Sequence, residues 1–161
     1  MTVTAHHPMT TITREPKASW AAFTERVREN GQYRTRVEAE QVARTVLSAL
    51  GGHVTGDERV ELAAALPEEA ARVFASQIPA VRPLTAAEFV DAVAARIEGS
   101  TTATARWDVS SVLSVVADLV DEDLTRRVIA QLPPGYALLF GRAQLVPAAG
   151  GPDGPCTWPS N

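Results

Sequence analysis

Among 161 residues there is one cysteine, Cys156, and one lysine, Lys17. Without a second thiol a disulfide scaffold is excluded, and a reducing cytosol becomes the expected compartment. No apolar run approaches the ~20 residues that a bilayer requires, so a membrane span is not expected. The first 17 residues hold no apolar stretch behind a basic cluster, which argues against a secretory signal. The other basic side chains are 14 arginines, and the formal net charge is −4. Nucleic-acid partners usually meet a basic surface, so that class is not expected here. What is plentiful is apolar residues, at 45%. A chain of this length and composition can bury a real core, and disorder throughout is excluded.

The ends differ from the middle. Residues 1–17 are rich in Thr and His and show no period, while 147–161 carry Pro147, Pro152, Pro155 and Pro159 with Gly150, Gly151 and Gly154. Such stretches do not form packed elements. The expected organisation is a flexible tail at 1–17, one helical domain at 18–146 and a flexible Pro/Gly-rich tail at 147–161.

Inside that domain the chain repeats itself. A shift of 66 residues aligns Ser19–Ser76 with Thr85–Arg142 without a gap, and 15 of the 58 aligned positions are identical. Phe23 meets Phe89, Val27 meets Val93, and Val46-Leu47-Ser48 meets Val112-Leu113-Ser114. Leu66-Pro67 meets Leu132-Pro133, and Phe74 meets Phe140. Identities concentrated at apolar positions read as a duplicated structural unit, each copy burying its face against the other.

Each unit reads as four helices. Trp20, Phe23 and Val27 open the first copy, and Phe89, Val90, Val93 and Ile97 the second, at helical spacing. Ser19 and Thr85 precede them as N-caps, and Thr85-Ala-Ala-Glu88, Thr35-Arg-Val-Glu38 and Thr55-Gly-Asp-Glu58 have the form of capping boxes. Ala39, Ala43, Val46, Leu47, Leu50 and Val54 make one apolar stripe, and Ala105, Val109, Val112, Leu113, Val116 and Val120 its twin. The third helix ends near Leu66. Pro67 and Pro133 fit the first turn of a fourth, where a missing N–H is harmless. Pro79 and Pro83 make Ile78–Leu84 an extended linker. The expected fold is all-α, eight helices as two four-helix repeats (19–76 and 85–142) related by a pseudo-twofold.

Phe-x3-Val, then Ala with Val-Leu-x2-Leu/Val, then Leu-Pro closing the third helix, all occurring twice, resembles the domain-of-unknown-function family 2267. Gln131-Leu132-Pro133 matches the closing Gln-Leu-Pro of that family, whereas the first unit has Ala65 where the Gln would stand. The resemblance covers 19–142 and implies a bacterial, soluble, all-α protein. It brings no activity or catalytic residue with it.

Chemistry is sparse. His6-His7 sits in a tail without a carboxylate or cysteine cluster, so a metal site is not expected. His53 stands where its twin is Leu119, near a helix end, and is read as interacting with the helix dipole. Asp121-Glu122-Asp123 is read as N-terminal capping, since catalytic carboxylates need opposed placement and separated pKa values. Cys156, between Pro155 and Thr157, has nothing beside it to lower its pKa. Gly51-Gly52 and Gly150-Gly151 follow no strand, so no phosphate loop is expected. Arg26, Arg28, Arg34, Arg36 and Arg44 alternate with Glu25, Glu29, Glu38 and Glu40 as on a solvated helix surface. No cofactor is expected, and no catalysis.

One position breaks the repeat. Trp107 has Gln41 as its twin and falls about 200° around its helix from Ala105, opposite the apolar stripe and near Ser111 and Ser114. Trp107, Ser111 and Ser114 are therefore the candidate contacts of a protein partner, because Trp is enriched at binding hot spots. The alternative is that Trp107 covers the other unit or the C-terminal tail. The function expected is a non-catalytic interaction or regulatory module in the cytoplasm. A small-molecule binder with a cleft between the repeats is the alternative.

Overall fold

A computed structural model describes residues 18–142. The described residues form eight helices and no strand: α1 (Trp20–Gly31), α2 (Arg36–Gly51), α3 (Gly56–Ala65), α4 (Glu68–Ala75), α5 (Ala86–Arg96), α6 (Thr102–Leu119), α7 (Glu122–Ala130) and α8 (Tyr136–Leu139). The readings that fall on 1–17 and 143–161, including His6-His7, Cys156 and Gly150-Gly151, lie outside the described residues.

Short polar side chains set where the helices begin. Ser19, Thr35, Thr85, Thr101 and Asp121 each accept a hydrogen bond from a first-turn backbone N–H, satisfying a donor that the helix itself leaves free. Thr85 and Glu88 complete the reciprocal capping box, with Glu88 Oε1 accepting from the Thr85 N–H at 3.2 Å. Asp121 caps α7, as its place in the acidic triplet suggests. Thr55 differs from expectation: its side chain caps nothing. Its backbone N–H instead donates to Gln131 Oε1 at 2.8 Å, and Gln131 Nε2 returns a bond to the Thr55 carbonyl at 3.2 Å. The Gln of the closing Gln-Leu-Pro thus joins the two units at the start of α3.

The two long helices occupy the centre. α2 and α6 pack on each other, α1 lies across both, and α5 does the same from the other side. α4 covers α2, α8 covers α6, and α3 meets α7. Every residue of the two apolar stripes is buried, from Ala39 to Val54 and from Ala105 to Val120, together with Phe23, Phe74, Phe89, Tyr136 and Phe140. From Asp108 to Ala117 no residue of α6 is exposed, because α1 and α5 flank it and α2 faces it.

The fourth helices depart from the proline expectation by a residue or more. Pro67 is the N-cap of α4, not its first residue, and α8 begins only after Pro133, Pro134 and a left-handed Gly135 (φ 101°). A φ in that region favours glycine strongly.

Candidate functional site

The inter-unit face of α6 carries the polar residues that its neighbours do not explain. Asp108 follows Trp107 and stands at the register where the first unit has Val42, a core residue. It is only 3% exposed. Tyr33, in the turn between α1 and α2, donates its hydroxyl to Asp108 Oδ1 at 2.6 Å. Burial pushes the Asp108 carboxyl above its ordinary value while the Tyr33 bond pulls it back down. Tyr33 is pushed up, first by burial and then by Asp108, so it keeps its proton at neutral pH.

Above this pair lies a cleft of about 410 Å³ between the two units. The α1–α2 side contributes Tyr33, Glu38, Gln41 and Val42 to it, and the α5–α6 side contributes Ile97, Glu98, Gly99, Ser100, Thr104 and Asp108. Gly99 makes the turn before α6 with φ 76°, a conformation that L side chains rarely adopt.

On the other side of the Tyr33 turn, Trp107 donates its indole N–H to the Gly31 carbonyl at 2.9 Å and keeps 53% of its surface exposed. The ring thus reaches the first unit and stays open to solvent. Ser111 is a correction. It is buried, its hydroxyl donates to the Trp107 carbonyl at 2.8 Å, and its own carbonyl accepts from Asn30 Nδ2 at 2.9 Å. The helix wheel placed it opposite the stripe, but α1 lies on that face. Ser114 is half-buried. Of the three candidate contacts, Trp107 alone offers a large exposed surface.

His53 is a second correction. It lies past the end of α2, its ring meets Phe89 edge-on at 5.8 Å, and burial with the nearby Arg96 pushes its pKa down. The neutral form is favoured, so a charged interaction with the α2 dipole does not describe it. The remaining acidic residues of the α3–α7 contact are held by Arg127, which pairs with Glu58, Glu61 and Asp123. Their mutual hydrogen bonds pull Glu61 and Asp123 down and Arg127 up.

Sequence reasoning offered a cleft between the repeats as an alternative but missed the Tyr33–Asp108 pair in its wall. The available signal was the polar Asp108 opposite the apolar Val42 in an otherwise matched core register. No helix of the described residues is long and apolar enough to cross a membrane.

No curated protein matches the chain. The model of an uncharacterized conserved protein family, DUF2267, matches residues 20–139, from the first residue of α1 to the last of α8, and the chain belongs to that family.

Proposed function

We propose that this protein is a non-catalytic interaction or regulatory module that docks a protein partner on the face around Trp107. The carrying observation is that Trp107 is both open and held. Its N–H is satisfied by Gly31, so burying the ring under a partner leaves no orphaned donor. A side chain already fixed in place also loses little freedom on binding. A protein partner suits the net charge of −4 better than nucleic acid does. A single cysteine and the family resemblance support a bacterial cytosolic setting.

The same reading includes two four-helix repeats related by a pseudo-twofold. Three helix starts support it, since Trp20, Arg36 and Gly56 fall 66 residues before Ala86, Thr102 and Glu122. The packing of α1 on α6 also has its counterpart in that of α5 on α2.

Replacing Trp107 by its twin, Trp107→Gln, tests the docking face. The expected result is a protein that still melts cooperatively within a few degrees of the parent and no longer co-purifies with the partner retained by the parent chain. Retention of the same partner by the folded variant would overturn the reading.

A second reading, a small-molecule binder using the inter-unit cleft, is favoured by one observation. Asp108 is a buried carboxylate in the wall of that cleft, and a few placed polar groups within an apolar surround are typical of ligand sites.

A further inference from the structure

We propose that the cleft between the α1–α2 turn and the α5–α6 turn is a binding site for a small organic cation, an alkylammonium or alkylguanidinium. This rests on the second of the two functional readings and specifies its ligand.

Three carboxylates line the cleft, Asp108, Glu38 and Glu98. Among the described residues none of the three forms a salt bridge, whereas Glu58, Glu61 and Asp123 elsewhere share Arg127. Asp57 and Asp91 also form no salt bridge among the described residues; what sets Asp108, Glu38 and Glu98 apart is that the three line one cleft together.

Asp108 is the independent observation. It is buried, one oxygen takes the Tyr33 hydroxyl, and no hydrogen bond among the described residues reaches Oδ2. That oxygen is not sealed away from solvent either, so its open side is the cleft. The carboxylate is largely removed from water with no cation beside it, and a cation entering the cleft offsets that desolvation. An N–H cation supplies both the charge and the hydrogen bond, and charge-assisted bonds of this kind are the stronger ones.

The remaining walls select the shape of the ligand. No three acidic, His or Cys side chains among the described residues are placed to hold a metal ion, so the carboxylates do not converge as a coordination sphere does. Val42 and Ile97 add apolar surface beside Asp108. A cationic head on Asp108 with a short aliphatic stem along Val42 and Ile97 satisfies both. Glu38 and Glu98, exposed at the rim, add attraction that salt screens.

The test titrates the full chain with n-butylguanidinium and n-butylammonium, followed by amide chemical shifts, with n-butanol and n-butyrate as controls of the same stem. The expected result is saturable shifts at Gly99, Ser100 and Thr104 with the two cations, at least tenfold weaker with n-butanol and absent with butyrate. Asp108→Asn keeps an acceptor for Tyr33 and removes the charge, and it should weaken cation binding at least tenfold. The double variant Glu38→Gln/Glu98→Gln lies at the exposed rim and should weaken binding severalfold and flatten its salt dependence, providing a second measure should Asp108→Asn fold poorly. Binding of n-butanol as tight as that of the cations would overturn the charge assignment while leaving a ligand cleft. Shifts from none of the four compounds would overturn the cleft reading itself.

Discussion

The first unit (α1–α4) and the second (α5–α8) begin alike and finish differently. Their first three helices start in the same register, and the paired core positions are buried in both. The fourth helix runs eight residues in the first unit and four in the second. In the first, Arg59 reaches the end of the unit. Its guanidinium donates to the carbonyls of Gly51, Val54, Phe74, Ala75 and Gln77 and lies 5.2 Å over the Phe74 ring. Those carbonyls include ones that helices α2 and α4 leave without internal partners. Gly51 permits this closure, since a Cβ there would collide with the Phe74 carbonyl. In the second unit Thr125 stands at the Arg59 position and bonds only within its own turn, to the Asp121 carbonyl. Tyr136, where the first unit has Ala70, packs edge-on against Phe89 at 5.5 Å and donates to the Leu84 carbonyl at 2.9 Å. Arg142 donates to the carbonyl of Ala117, the counterpart of Gly51, at 3.4 Å. The two units thus close differently, the first by one arginine that gathers five carbonyls, the second by a buried tyrosine together with an arginine that reaches one. The differences on which the two proposed functions rest, Trp107 for Gln41 and Asp108 for Val42, fall where the two units face each other.

The comparison can be broken first at its shared position. Leu66 and Leu132 close the two cores and are 0% and 8% exposed. Leu66→Asp and Leu132→Asp each place a carboxylate among apolar neighbours, a cost of several kcal/mol, and circular dichroism melts should show neither variant folded at 37 °C. A cooperative melt near that of the parent for either would contradict equal roles in the two units.

Exchanging the closing residues comes next. Arg59→Thr gives the first unit the residue of the second and removes the guanidinium from its carbonyls, with an expected loss of about 3 kcal/mol in urea unfolding. Thr125→Ala, at the matching position, should cost about 1 kcal/mol. Equal losses would mean that Arg59 is a surface side chain with incidental contacts.

Gln131→Ala, which installs the counterpart residue Ala65, removes the side chain that bridges to Thr55 and should cost about 1 kcal/mol. Hydrogen exchange should quicken at the Thr55 amide, which loses its acceptor, and remain unchanged at the α5 amides.

The smallest effect concerns pH. Burial raises the folded-state pKa of Asp108 above its ordinary 3.8. The stability linked to its protonated form is therefore complete below about pH 4 and is lost as pH rises through the folded value. The stability of Asp108→Asn relative to the parent should accordingly improve between pH 4 and pH 7, as measured by urea unfolding at each pH. A difference independent of pH would mean that Asp108 titrates as an exposed carboxylate does.

Much of the fold was legible in the residue pattern because burial follows helical period. The stripes from Ala39 to Val54 and from Ala105 to Val120 are buried as read, and Ser19, Thr85 and Asp121 cap where local hydrogen bonding directs them. Local chemistry misled where a distant partner competed. Thr55-Gly-Asp-Glu58 has the form of a capping box, yet Gln131, 76 residues away in the chain, takes the bond. Ser111 reads as solvent-facing on a helix wheel and is buried, because α1 covers that face of α6. The candidate site was the least legible part. Tyr33 and Asp108 are 75 residues apart, and neither belongs to a motif.

The order and number of the helices, their caps and their apolar faces are encoded by interactions within three or four residues of the chain, which is why pattern and spacing suffice to read them. The cleft, the downward push of burial on the His53 pKa, the burial of Ser111 and the anchoring of Trp107 depend on how one unit lies against the other. Those contacts join residues separated by dozens of positions, and their hydrogen bonds, desolvation and charge come into being only when the two helical faces meet.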